Sequence, residues 1–236
     1  MNGLFRRASV REAPSKHAQR SNDPSCRGPA KSRSRTAIAD FDGNGKLYPQ
    51  RGHYTQMIFD QPRCIAENQD RSGERQELIA TLAKVFRLSF PSLRFRIFDR
   101  IAAINAQASV RDSLRSVDIF GGLAFNPAVD HDGLVFAYLH EAGHHLSKGC
   151  RHPCNQQIAC DCAADCWAVT EGRAKLAENN CEFSLTIALT QLERAANLNK
   201  RSSSKQAPRR CAYSNWVERK RSLLRGSVIP KQCGLF

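Results

Sequence analysis

What the chain lacks narrows its class first. Its longest unbroken apolar run, residues 133–139, has seven members, far short of the roughly 18–20 that a membrane helix needs. No membrane span is therefore expected. Residues 1–23 carry arginines but no apolar core of seven or more, so no secretory leader is read there and the expected setting is soluble and cytoplasmic. Acidic residues are scarce at both ends. Residues 1–36 hold nine Lys/Arg against two Asp/Glu and residues 197–236 hold ten against one, whereas residues 37–196 hold seventeen against nineteen. The formal net charge of +14 thus belongs to the ends, and the middle is nearly neutral. Basic ends can engage nucleic acid or another acidic partner. The N-terminal one lacks the interleaved aromatics that stack on bases, so solvated arms are the plainer expectation. No internal repeat is present, which excludes solenoids. A length of 236 residues suffices for one domain with a sizeable core, plus tails.

Against that background, one segment is rich in chemistry: Leu139-His140-Glu141-Ala142-Gly143-His144-His145. Residues four apart on a helix lie about 5–6 Å from each other. His140 and His144 can therefore reach one Zn²⁺, with Glu141 beside a water on that metal. Such a metal lowers the pKa of its water, and the glutamate can take the proton during attack on a polarised carbonyl. Upstream, Asp130-His131-Asp132-Gly133 offers N-cap residues before the apolar run 134–139. A buried helix with incidental histidines is disfavoured, because two imidazoles and a carboxylate are costly to bury without partners. His145 lies about 100° round the helix from His144 and is expected beside the site or in solvent.

Residues 155–170 read as a second helix stopped by Gly172. Within it, Asp161-Cys162-Ala163-Ala164-Asp165 places two acids one turn apart. With this element the chain resembles the gluzincin metallopeptidases, where a Glu-x-x-x-Asp element on the following helix supplies the third zinc ligand. The Glu-x-x-Ala-Asp subgroup includes the CAAX-prenyl endopeptidases, their soluble relatives and the proteases that cleave phage or stress repressors. The resemblance implies that Asp161 is the third ligand and that Asp165 orients a ligand histidine. It implies too that Ala164 and Ala168 let the two helices approach. Asp161 is one methylene shorter than the family's glutamate, so its helix must come closer. Thiolates of Cys160 or Cys162 are the alternative third ligands. The resemblance spans residues 116–172.

Just upstream, residues 117–127 look like a strand closed by Asn126-Pro127. In zincin folds the strand before the active-site helix is the edge that pairs with substrate. The resemblance therefore implies peptide binding by strand addition along Gly121, Gly122, Leu123, Ala124 and Phe125. The competing reading is an ordinary sheet strand.

Six of the ten cysteines lie between positions 150 and 181. Without a leader, reduced thiols are expected. Cys150-Arg151-His152-Pro153-Cys154 has a ligand-like look, but no second pair follows at zinc-site spacing. Small packing residues are expected ahead of a disulfide or a second metal. Asp40-Phe41-Asp42-Gly43-Asn44-Gly45 copies half of a calcium loop, but Arg51 stands where a bidentate glutamate is needed, so a polar turn is read. Helices are expected over 74–88, 101–114, 184–198 and 213–224, and a short strand over 93–97.

The expected architecture is α+β: a zincin-like single catalytic domain with a small sheet and an active-site helix, over 37–198. A basic arm (1–36) precedes it; a linker (199–210) and a basic tail with room for a packing helix (211–236) follow. The expected activity is zinc-dependent endopeptidase action on protein or peptide, with one Zn²⁺ per chain and Glu141 as general base. The alternative is a non-catalytic metal-binding or degenerate zincin domain that recognises a protein or nucleic-acid partner through its tails. For the residue that stabilises the oxyanion, His152, Tyr213 and the arginines are equal candidates.

Overall fold

A computed structural model describes residue 66 and residues 68–111, 113–152, 155–196 and 216–226, together with the backbone of three short strands, β1 (Asp40–Phe41), β2 (Leu47–Tyr48) and β3 (Thr55–Met57). The basic arm 1–36, the 40–45 loop beyond Phe41, Arg51, the linker 199–210, Cys154 and Tyr213 lie outside the described residues.

The main unit starts with α1 (Gly73–Ser89). Ser72 caps it by accepting the backbone N–H of Arg75 through its hydroxyl, and Ile79, Leu82 and Phe86 recur at helical spacing on its buried face. Then come β4 (Arg94–Phe98), β5 (Ala106–Arg111) and β6 (Leu114–Phe120). The sheet runs in the order β3-β5-β6-β4, with β4 parallel to β6 and the other pairs antiparallel. β5 falls in the stretch read as helical from its sequence. Its buried alanines, Ala106 and Ala108, alternate with polar residues in the period of a strand. Their small side chains let a helix lie close on the sheet.

That helix is α3 (His131–Leu146), the centre of the fold. Asp130 caps it by accepting the N–H of His131. Every residue from Gly133 to His145 is buried, so the helix is covered on all sides. The sheet, α1 and α6 (Leu185–Ala195) surround it. Tyr138 stacks on Phe86 with ring centroids 4.8 Å apart, and Phe95 closes the cluster 5.4 Å from Phe86. Truncating one of these rings to alanine would cost about 3–5 kcal/mol.

The expected substrate edge is not a strand in the structure. Gly121, Gly122, Leu123 and Ala124 form a buried helical turn, α2 (Gly121–Ala124), and Phe125 follows as its C-cap. The strand before it, β6, lies inside the sheet between β5 and β4 and presents no free edge. The glycines serve close packing: a Cβ on Gly121 would sit 2.1 Å from the Asp99 carbonyl oxygen, and one on Gly122 2.0 Å from that of Ala102. They admit the 99–103 segment against the turn.

After α3 the chain makes a hairpin of β7 (Arg151–His152) and β8 (Asn155–Ala159). The second acidic helix therefore begins later than its sequence suggests, as α4 (Asp161–Trp167). It does not stop at Gly172. A π-helical turn over Ala168–Gly172 leads directly into α5 (Arg173–Ala177). The final described element is α7 (Trp216–Leu224). Among the described residues, no helix is long and apolar enough to cross a membrane.

Candidate metal centre

The second half of α3 meets α4 with almost no gap. A Cβ on Gly143 would lie 2.6 Å from the Ala164 carbonyl oxygen, so the backbones touch through this glycine. The contact brings the start of α4 over the face that carries His140 and His144. The two Nε2 atoms lie 3.1 Å apart, and Asp161 Oδ1 is 3.8 Å from each. The ligand atoms of His140, His144 and Asp161 all fall within 4.8 Å of one another. Both histidines are fully buried, while Asp161 keeps partial access to solvent.

The far nitrogen of each ring decides what the near one offers. His144 Nδ1 is 2.8 Å from the Ala159 carbonyl, which can only accept, so Nδ1 carries the proton and Nε2 presents a lone pair. His140 Nδ1 is 2.7 Å from Asp165 Oδ1. Burial would raise the Asp165 pKa, but the charge of Arg219 and the His140 ring outweigh it and hold the carboxyl below its usual range. Two groups meet His140 Nδ1: the Asp165 carboxylate, which accepts, and Arg219 Nη2 at 3.0 Å, which donates; with its proton on Nδ1, as when it binds a metal, His140 presents Nε2 as an acceptor. Burial, then the neighbouring His140, keeps His144 neutral by pushing its pKa well down. With both Nδ1 atoms protonated, two imidazole lone pairs and a carboxylate oxygen converge on one point. The donor set fits a small divalent cation of the zinc type.

Glu141 completes the group. It is fully buried, and neither carboxylate oxygen has a hydrogen-bond partner among the described residues. Its Oε2 lies 4.0 Å from His144 Nε2. Burial pushes its pKa well up and the negative Asp161 adds to this, while Arg219 and the nearby Ala108 backbone N–H act the other way. A buried carboxylate with at most one weak backbone contact is costly here, unless it serves a group that the cluster binds.

The sequence reading missed Arg219. From α7 its Nε donates to Asp165 Oδ2 at 2.7 Å and its Nη2 to Oδ1 at 2.6 Å, a bidentate fork on a fully buried carboxylate. Arg219 is itself buried. The clue lay in spacing: Arg219 is three residues after Trp216 and four before Leu223, a cation on the apolar face of the helix. His145 turns away from the cluster and donates through Nε2 to the Ser116 carbonyl, 2.9 Å off, so Nε2 carries the proton. The side chain of His152 is outside what the structure describes.

Cys160 and Cys162, the thiolate alternatives to Asp161, gather with Cys150 in a separate cluster. There Cys150 and Cys160 are joined in a disulfide, contrary to the expectation of reduced thiols. In comparisons with known proteins, the chain matches no family model, no curated protein and no solved structure.

Proposed function

We propose that the protein is a zinc-dependent endopeptidase with a zincin-like catalytic domain, its site resembling that of the gluzincins with a Glu-x-x-Ala-Asp second helix. The observation that carries this reading is the convergence of the His140, His144 and Asp161 ligand atoms within 4.8 Å of one another, beside the fully buried Glu141. His140 Nε2, His144 Nε2 and Asp161 would hold the ion. Bound zinc supplies a Lewis acid that brings a water's pKa toward 7 and polarises a carbonyl.

The remaining work falls to the chain. Asp165 and the Ala159 carbonyl fix the tautomers and tilt of the two rings, so both aim Nε2 at one point. Arg219 keeps Asp165 ionised and so keeps it an acceptor for His140 Nδ1. Glu141 takes the proton of the attacking water on a carboxylate oxygen and passes it to the leaving amine nitrogen. Burial raises its proton affinity, which suits a group that must hold a proton between those two steps. A purely structural metal site would not need this carboxylate, which favours the enzyme over the binding module.

The test is a peptide-library digest by the zinc-loaded full chain and by Glu141→Gln. The variant should keep its zinc and lose roughly 10²–10⁴-fold in cleavage rate, the usual worth of a general base. Equal cleavage by the variant, or no cleavage by the zinc-loaded wild type across the library, would refute the reading.

A further inference from the structure

The metal centre is sealed in this conformation. His140, Glu141 and His144 are fully buried, and Asp161 alone of the four reaches solvent, at 17% exposure. A peptide group cannot meet Glu141 until a covering element moves. β5 packs on α3, and the Ala108 N–H lies close enough to Glu141 to act on its charge. The direction of that N–H follows from the ladder. The Phe120 N–H donates to the Asn105 carbonyl at 3.1 Å, so these two residues form a hydrogen-bonded pair. Such pairs alternate along an antiparallel ladder, which makes Gln107 with Asp118, and Ser109 with Ser116, the next bonded pairs. Ala108 therefore turns its N–H and C=O away from β6, to the side where Gln56 of β3 is its register partner. β3 is the outer strand of the sheet, three residues long, and it lies against α3.

We infer that β3 occupies the place an extended peptide takes at this site, so that the site is latent until residues 55–57 leave the edge of β5. This latch deepens the peptidase reading and rests on it. A strand paired to Ala108 runs beside Glu141, and neighbouring strands stand about 4.8 Å apart. A peptide added outside β3 would lie one strand spacing further off, beyond reach of the Glu141 carboxylate. A peptide in place of β3 pairs with the same Ala108 N–H and C=O, so the exchange leaves no backbone group of β5 unpaired. β3 has a sheet neighbour on one side only, and a strand of three residues gives up few hydrogen bonds when it leaves. A latch open about 1–10% of the time weakens apparent peptide affinity by about 10–100-fold.

The experiment uses the zinc-loaded full chain and acetyl-Thr-Gln-Met-hydroxamate, a copy of β3 that carries a zinc-binding group. Gln56→Pro removes the N–H that pairs with Ala108. Calorimetry should show this variant binding the peptide about 10–100-fold more tightly than the wild type. Thr55→Cys/Ser109→Cys joins two register partners by a disulfide. It should hold β3 down and lose the peptide, then regain it on reduction, with the wild type reduced in parallel as the control. In the wild type at saturating peptide, residues 55–57 should lose amide protection from hydrogen exchange while Ala108 keeps it, a readout that needs no variant to fold. Equal affinity in Gln56→Pro and the wild type, or residues 55–57 still protected with the peptide bound, would overturn the latch. So would a peptide that binds none of these forms. Tight binding by Gln56→Pro without cleavage of a peptide library counts against the peptidase reading and leaves the latch standing.

Discussion

Replacing Arg219 by methionine tests whether the far end of the chain belongs to the site. The residue lies 54 positions beyond Asp165, yet its guanidinium forms both hydrogen bonds of a bidentate pair with that carboxylate. Asp165 is fully buried, and the Arg219 side chain is 8% exposed, so solvent screens the pair little. Removing one partner of a buried pair costs about 3–5 kcal/mol, because the other charge is left uncompensated. Methionine keeps much of the apolar stem, so the loss reflects charge more than volume. Urea unfolding at neutral pH should show a drop of that size. The Asp165→Asn/Arg219→Met double variant should lose less than the sum of the singles, by 0.5–3 kcal/mol as coupled pairs generally do.

The acid limb adds a sign. Asp165 in the folded protein has a pKa depressed below the usual carboxylate range, against about 3.9 unfolded. It therefore contributes stability that is present above the unfolded value and lost as pH falls through the folded one. Without Arg219 the largest lowering influence is gone, so the folded pKa moves back up and the gain in stability as pH rises from the folded value to about 4 shrinks. Zinc affinity should fall by roughly 10–100-fold, the range for partners that orient a ligand. An Arg219→Met protein that loses under about 1 kcal/mol and binds zinc as the wild type does would show that α7 is only docked nearby, since exposed pairs are worth no more than that.

Three further outcomes follow from the packing around the cluster. Gly143→Ala places a Cβ 2.6 Å from the Ala164 carbonyl oxygen, so α3 and α4 must part; overpacking should cost about 1–3 kcal/mol, and zinc titration should show weakened binding, whereas an unchanged affinity would mean the helix contact does not set the site. Gly122→Ala meets the Ala102 backbone at 2.0 Å and should destabilise the fold in a thermal melt while leaving zinc stoichiometry intact in the folded fraction; loss of zinc in that folded fraction would contradict the division between fold and site. Asp161→Ala should abolish most affinity at the histidine site, and Asp161→Glu reports on its slack: tighter binding by glutamate means the helices have room, weaker binding means α4 has already moved in for the shorter acid, and full zinc in Asp161→Ala would remove Asp161 from the ligand set.

What could be read from the sequence was whatever depends on neighbours within a turn. The pair His140 and His144, the cap at Asp130 and the apolar face of α1 are local patterns, and the structure places them where those patterns point. The misread elements each depend on a distant partner. β5 is rich in alanine, a strong helix former, but its alanines are buried because α3 lies across them, and tertiary context overrides a weak local preference. Gly121-Gly122 announces close approach, yet only the position of residues 99–103 shows that the approach comes from the chain's own backbone, not from a peptide. The sequence pattern runs Asn155 to Ala159 into the following helix, since nothing local reveals its pairing with β7.

That last boundary carries the most chemistry. Starting α4 at Asp161 puts this acid in the first helical turn, with Asp165 one turn deeper, where each reaches a different nitrogen of His140: Asp161 faces Nε2 and Asp165 holds Nδ1. A helix begun at Asn155 would have buried the Ala159 carbonyl in its own hydrogen-bond ladder. Ending the strand there frees that carbonyl to accept from His144 Nδ1. The short hairpin therefore does two jobs. It turns the chain so that one acid can join the histidines, and it supplies the acceptor that fixes the tautomer of the second ring.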